Sequence, residues 1–269
     1  MNFTDLGLSE KTIKAIDEFG IKEPTTVQSD VIPSILQGKD VFTIAPQRCG
    51  KTTSYVFPLI DIISSASGNK KNILIITPDS EQSVVVSDRL AIFNKYHEIN
   101  EATIKDSAEN IDEEANVIIG SPELLTELVA ENRLDLSKIN ILVVDDINLI
   151  KKNKQLANLE KILELLPAEK QNIVYTNRRS KETQDILDKI LKAPEEIKVN
   201  KDKEQEAEQA PTAPAKECKK TGKCSNNHCR KFSDVLDKEA VDLMKKYNSF
   251  NGKTPKFLLN KGIIAADEQ

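Results

Sequence analysis

Asp40-Val-Phe-Thr-Ile-Ala45-Pro-Gln-Arg-Cys-Gly50-Lys51-Thr52 passes from a short apolar run, through a proline-containing turn, into Gly-Lys-Thr at the head of an amphipathic stretch. The order strand, loop, helix is legible in those thirteen residues. In a loop of this kind the backbone N–H groups wrap phosphates and the helix N-terminus adds its positive end. A Lys reaches the outer phosphates, and a Thr hydroxyl binds Mg²⁺. Gly50, Lys51 and Thr52 provide the last three of these parts. The alternative is an ordinary strand-to-helix turn that happens to spell Gly-Lys-Thr.

Outward from this point the pattern repeats. Asn72-Ile-Leu-Ile-Ile, Ala115-Asn-Val-Ile-Ile, Ile141-Leu-Val-Val and Asn172-Ile-Val-Tyr are continuous apolar runs of the kind buried on both faces of a sheet. Amphipathic stretches separate them. Ser9 is placed to cap a helix that carries Ile13 and Ile16 and closes at Gly20; Leu156, Leu159, Ile162, Leu163 and Leu166 form another stripe, stopped by Pro167. Alternation of these two patterns over residues 8–200 predicts an α/β fold, a parallel sheet sandwiched by helices.

A magnesium site needs a carboxylate at the end of a neighbouring strand. Asp145 and Asp146 follow four apolar residues there, Asp145 as a metal ligand through water and Asp146 as the group orienting the attacking water. A pair of aspartates closing a strand also serves often as a loop cap.

The chain has 269 residues, enough for one α/β domain and a small appendage. Its 38 Lys and Arg against 43 Asp and Glu give a net charge of -5, so it is no polycation and any nucleic-acid surface must be local. No apolar run reaches the roughly 18–20 residues needed to cross a bilayer. Met1-Asn-Phe-Thr-Asp lacks the basic and apolar parts of a signal peptide, so the expectation is a cytoplasmic protein with no membrane partner. Residues 201–215 (KDKEQEAEQAPTAPA) lose the apolar pattern and read as a linker between a 1–200 domain and a 216–269 module. In that module Ser233 is placed to cap one helix, and Thr254-Pro255 to start a shorter one.

Taken together, the motifs resemble those of the DEAD-box RNA helicases, over residues 3–200 in collinear order. Phe3-Thr-Asp-Leu-Gly-Leu8 and Gly20-Ile21-Lys-Glu-Pro24-Thr25-Thr26-Val-Gln28 stand where that family places its adenine-reading elements. The resemblance implies a RecA-like domain that binds ATP and Mg²⁺, with Phe3, Ile21, Thr25 and Gln28 at the base, Gly50, Lys51 and Thr52 at the phosphates, and Lys51 and Asp146 in catalysis. Gln28 offers the paired donor and acceptor that adenine's edge requires. The bland reading of the same element is a helix start with a surface Gln. Thr77-Pro78-Asp-Ser80-Glu81, Gly120-Ser121-Pro122-Glu123 and Tyr175-Thr176-Asn177-Arg178 fall at the family's further motifs.

Departures from the family bear on mechanism. Arg48 replaces a loop glycine, so a side chain stands where backbone closes on phosphate, although its charge also attracts phosphate. Ile21 replaces the aromatic that stacks on adenine, and the family's Asp-Glu-Ala-Asp is Asp145-Asp146-Ile147-Asn148. Ser80 and Glu123 replace RNA-contacting arginines. After residue 200 nothing resembles the family's second RecA-like domain. These features lead to the expectation of an ATP-binding, RNA- or ribonucleoprotein-associated protein with little or no ATPase or unwinding activity of its own. The alternatives are a scaffold that no longer binds nucleotide and a weak RNA-dependent ATPase completed in trans by a partner that supplies the missing domain.

Cys218, Cys224, His228 and Cys229 crowd together, while Cys49 stands apart. The cluster resembles a Cys-Cys-Cys-His zinc finger, with Gly-x-Cys and Cys-x-x-Phe neighbours, but its spacings differ and Ser233 stands where that finger's His would fall. It reads either as a Zn²⁺ site or as thiols in a solvated loop. Between Lys216 and Lys261, 12 Lys and Arg face 5 Asp and Glu, a pattern that fits an RNA handle or a solvated helical face.

Overall fold

The computed structural model describes residues 2–65, 72–106 and 115–199. The expected linker, the Cys/His cluster and the basic tail lie outside the described residues.

Seven parallel strands form one sheet among the described residues: β1 (Val41–Ile44), β2 (Asn72–Ile76), β3 (Glu101–Thr103), β4 (Val117–Gly120), β5 (Ile139–Val144), β6 (Gln171–Thr176) and β7 (Glu195–Lys198), in the order β3-β4-β2-β5-β6-β1-β7. The helices are α1 (Glu10–Glu18), α2 (Thr26–Leu36), α3 (Lys51–Ser65), α4 (Ser80–Phe93), α5 (Pro122–Ala130), α6 (Ile147–Lys152), α7 (Leu156–Leu165) and α8 (Lys181–Ile190). The expected RecA-like α/β sandwich is borne out.

The sheet is apolar on both faces because successive side chains alternate across it. Ile73, Ile75, Ile141, Val143, Ile173 and Tyr175 enter one core with α1 to α4. Leu74, Ile76, Leu142, Val144 and Val174 enter the other with α5 to α8. Parallel pairing then forces every strand to end on the same edge of the sheet, which is where ligand crevices of such folds lie.

Helix starts follow local chemistry. Ser9 caps α1, accepting from Thr12 N, as expected. Its own N–H and hydroxyl each donate to Asp61 at 2.6 Å, so one carboxylate in α3 anchors the start of α1. The Thr12 hydroxyl donates to Asp61 at 2.5 Å and lies 3.0 Å from His97 Nε2, whose Nδ1 is 2.7 Å from Ser64 Oγ.

Candidate functional site

The phosphate-type loop leaves β1 at Ala45 and enters α3 at Lys51. Two of its residues, Arg48 (φ 67) and Gly50 (φ 84), are left-handed. At Gly50 the requirement is steric as well: a Cβ there would meet Gln28 Nε2 at 2.8 Å and Thr25 Oγ1 at 3.1 Å. The neighbours that crowd Gly50 are thus the residues that begin α2.

Thr25 and Gln28 form a capping box, with Thr25 N donating to Gln28 Oε1 at 2.9 Å and Gln28 N to Thr25 Oγ1 at 3.3 Å. The Thr25 hydroxyl then donates to Cys49 O at 3.0 Å, and Gln28 Nε2 to Thr53 Oγ1 at 2.7 Å. Gln28 is only 3% exposed, so it is no surface glutamine; its amide lies behind the loop, not on the cleft wall. Phe3 is likewise buried, edge-on to Phe57 with ring centroids 5.8 Å apart, and does not line the cleft.

Ile21, Gly50, Lys51, Thr52, Asp145 and Asp146 do share one wall-to-wall cleft of about 520 Å³, with Arg48 at its loop side. Lys51 Nζ lies 3.7 Å from Asp146 Oδ2 and 3.4 Å from Ala45 O. Asp146 itself is left-handed (φ 57, ψ 73) and caps α6, accepting from Leu149 N. Directly after β5, Asp145 is buried, with Tyr55 Oη donating to its Oδ2 at 3.2 Å and Gln82 Nε2 to the same oxygen at 3.3 Å. Burial pushes the Asp145 carboxyl above the usual carboxylate range, against the opposing pull of the Lys51 charge and the Gln82 hydrogen bond. Burial, and then the Asp145 charge, raises the Tyr55 phenol well above its ordinary value. A polar row continues beneath the cleft, where the Tyr175 and Ser54 hydroxyls meet at 2.8 Å.

The donor set suits a magnesium-bound triphosphate. A loop closed by Gly50, where no Cβ fits, opens a helix of 15 residues, a half-buried ammonium stands at its first position, and a buried carboxylate faces the same space with Tyr55 and Gln82 both on one of its two oxygens. The fourth residue of the Asp145–Asn148 segment behaves differently. Asn148 Nδ2 lies within donating distance of Thr176 Oγ1 (2.7 Å), Asn177 Oδ1 (2.9 Å) and Arg178 O (2.7 Å), binding α6 to the loop after β6. At the two positions where arginines were absent, Ser80 opens α4 behind the Asp79 cap, and Glu123 sits in the first turn of α5, where Gln155 Nε2 donates to it at 3.4 Å.

Sequence reading missed Phe19, Gln82, Val85 and Arg89, all on the cleft wall. Three of them belong to α4, whose exposed face reads as ordinary helix surface. Among the described residues no group of three His, Cys, Asp or Glu side chains is arranged to hold a metal; the zinc reading concerned Cys218, Cys224, His228 and Cys229, which lie outside those residues. No described helix is long and apolar enough to cross a membrane.

Comparison with known proteins agrees with this geometry. The DEAD-box ATP-dependent RNA helicase RhpA of Helicobacter pylori is 27% identical over 204 residues, covering 74% of this chain and 41% of its own length. The ATP-dependent RNA helicase DeaD of Haemophilus influenzae is 24% identical over 206 residues, covering 74% of this chain and 33% of its own length. The chain thus spans well under half the length of these relatives. A DEAD box protein from the hyperthermophile Methanococcus jannaschii superposes with a TM-score of 0.69 at 24% identity, over 74% of this chain and 56% of that one, which speaks to the fold. The family model described as DEAD/DEAH box helicase matches residues 25–186, more than half of the sequence, and the chain belongs to that family.

Proposed function

We propose that this protein is an ATP-binding, RNA-associated member of its family whose own ATPase and unwinding activity is slight or absent. The observation that carries the reading is the meeting of Lys51, Thr52 and Asp145 in one cleft at the carboxyl edge of the sheet. Lys51 and the amides that open α3 would hold the phosphates, and Thr52 and Asp145 the magnesium ion, which when bound supplies charge neutralisation at the phosphates. RNA association rests on the family and on the basic 216–261 segment.

Weak turnover follows from what the remaining groups are doing. The carboxylate meant to orient water, Asp146, is one methylene shorter than the family's Glu, caps α6 and sits beside Lys51. Displacements of about an ångström at such a group cost roughly 10²-fold in rate. Asn148 has no acid to offer, and Glu123 would repel a phosphodiester chain. A partner that completes the site in trans is the second reading, favoured by the assembled phosphate end of the cleft. A scaffold that no longer binds nucleotide is the third.

Calorimetry with Mg-ATP tests the proposal. Wild type binds and Lys51→Ala does not, while both unfold at similar temperatures; absence of binding by wild type leaves the scaffold reading. Steady-state phosphate release with saturating RNA stays near background. Brisk turnover abolished by Lys51→Ala refutes the inactive reading, and turnover that appears only with an added partner domain selects the second.

A further inference from the structure

We propose that a second site beside the nucleotide cleft, formed by the end of α6 and the loop after β6, takes a small anion that carries two or more phosphate groups. It stands apart from the nucleotide reading above, because neither Lys51 nor any other residue assigned to ATP or magnesium belongs to its lining.

The basin measures about 500 Å³ and is walled by Asn148, Lys151, Lys152, Asn177, Arg178 and Ser180; Gln47 and Leu149 line both it and the nucleotide cleft. Three of these side chains are cations and none is an acid. Lys151 is ion-paired with Glu182 and lies 3.4 Å from Ser180 Oγ. Arg179, next to the basin in the chain, is engaged by Glu196 at 2.6 Å. Among the described residues no acid meets Lys152 or the guanidinium of Arg178, both of which are exposed. A concave wall with two uncompensated cations concentrates positive potential inside it.

The wall is also held in place. Asn148 Nδ2 faces Thr176 Oγ1, Asn177 Oδ1 and Arg178 O at 2.7 to 2.9 Å, and the Thr176 hydroxyl donates to Arg178 O at 2.8 Å. The backbone from which Arg178 projects is therefore tied to α6, while its side chain is left to a ligand. An acid at position 148, as in the family's motif, would set a negative charge in this wall; the amide removes it.

The lining decides the class of ligand. It has no ring on which a base would stack, and Leu149 is its one aliphatic side chain, so neither a nucleobase nor the apolar anchor of a peptide finds a seat. Phosphate oxygens suit what is there. A guanidinium grips two of them at once, an ammonium takes another as a point charge, and the Ser180 hydroxyl adds a donor. The volume is that of a site for a small molecule, with room for more than one phosphate group.

The test is calorimetry with inorganic tripolyphosphate on the full chain carrying Lys51→Ala, which disables the phosphate loop and leaves the second site. Binding is expected to remain. Adding Lys152→Ala and Arg178→Ala weakens it by about tenfold or more, whereas adding Arg179→Ala, a charge lost just outside the lining, leaves it within about twofold. Loss of all binding with Lys51→Ala alone overturns the proposal, since the loop then accounts for every phosphate bound. Binding that survives the Lys152 and Arg178 changes places the anion elsewhere on the chain, and an equal fall with Arg179→Ala makes it a matter of net charge; either result overturns the site. A single-stranded RNA oligonucleotide is measured alongside. If tripolyphosphate does not bind and RNA affinity falls with Lys152→Ala and Arg178→Ala, the basin is an RNA contact and the small-anion site is overturned. A melting temperature for each variant separates a lost contact from a lost fold.

Discussion

Gln28 Nε2 donates to the Thr53 hydroxyl at 2.7 Å, and the Thr53 hydroxyl donates in turn to Gly50 O at 3.0 Å, so the first turn of α2 holds the first turn of α3. Truncation leaves buried partners unsatisfied. Gln28→Ala should lower the unfolding free energy by about 1–3 kcal/mol, measured by urea denaturation. A loss of ATP binding at full stability would show that the amide acts on the nucleotide and not on the fold.

Gly50→Ala meets two obstacles, a positive φ and the atoms of Gln28 and Thr25 already in the space. The substitution is expected to cost more than about 1–2 kcal/mol, beyond the left-handed penalty alone. Gly20→Ala, also at positive φ but with nothing within 4 Å of the added carbon, is the control. Equal losses at both glycines would mean that crowding at Gly50 is relieved at no cost.

Asn148 Nδ2, with two hydrogens to give, faces three acceptor oxygens, so the acid that stands at this position in the family's motif would set a carboxylate among acceptors. Asn148→Asp should destabilise the fold by about 1–3 kcal/mol and speed amide exchange at Asn177 and Arg178. ATPase activity should stay at the wild-type level. Recovery of turnover by this single change would make Asn148 the sole block.

His97 is held between Thr12 and Ser64, and burial depresses its pKa below the ordinary imidazole value, with the Asp61 charge working the other way and Lys11 adding to the depression. The unfolded chain therefore binds its proton more readily than the folded one. Stability on this account is complete above about pH 6.5, the ordinary imidazole value, and declines as pH falls through the window below it. The slope of melting temperature against pH across that window should flatten in His97→Asn. An unchanged slope would assign the acid sensitivity to other groups.

Five of the seven strands were legible because a strand covered on both faces is largely a continuous apolar run, as in residues 73–76 and 141–144. Glu101–Thr103 and Glu195–Lys198 carried no such signal: at the sheet's margins only Ile197 among their side chains is buried. The loop and the Asp145–Asp146 pair were visible for a similar reason, since each needs a fixed residue order. Gln28 was visible as a type but not in its direction, because nothing in Thr-Thr-Val-Gln tells whether a capping box closes on itself. Phe19, Gln82, Val85 and Arg89 come together only through packing of α4 against the end of α1, a relationship between segments more than 60 residues apart in the chain.

Those marginal strands also bear on how the molecule behaves in company. Each is only three or four residues long, and β7 carries the exposed Glu195, Glu196 and Lys198, so a like chain approaching that flank meets charge before it meets a usable ladder of amides. Self-association by strand addition is thereby discouraged, by exposed charge at the β7 flank and by a three-residue edge at β3, and the apolar runs at the centre of the described sheet stay shielded from intermolecular pairing.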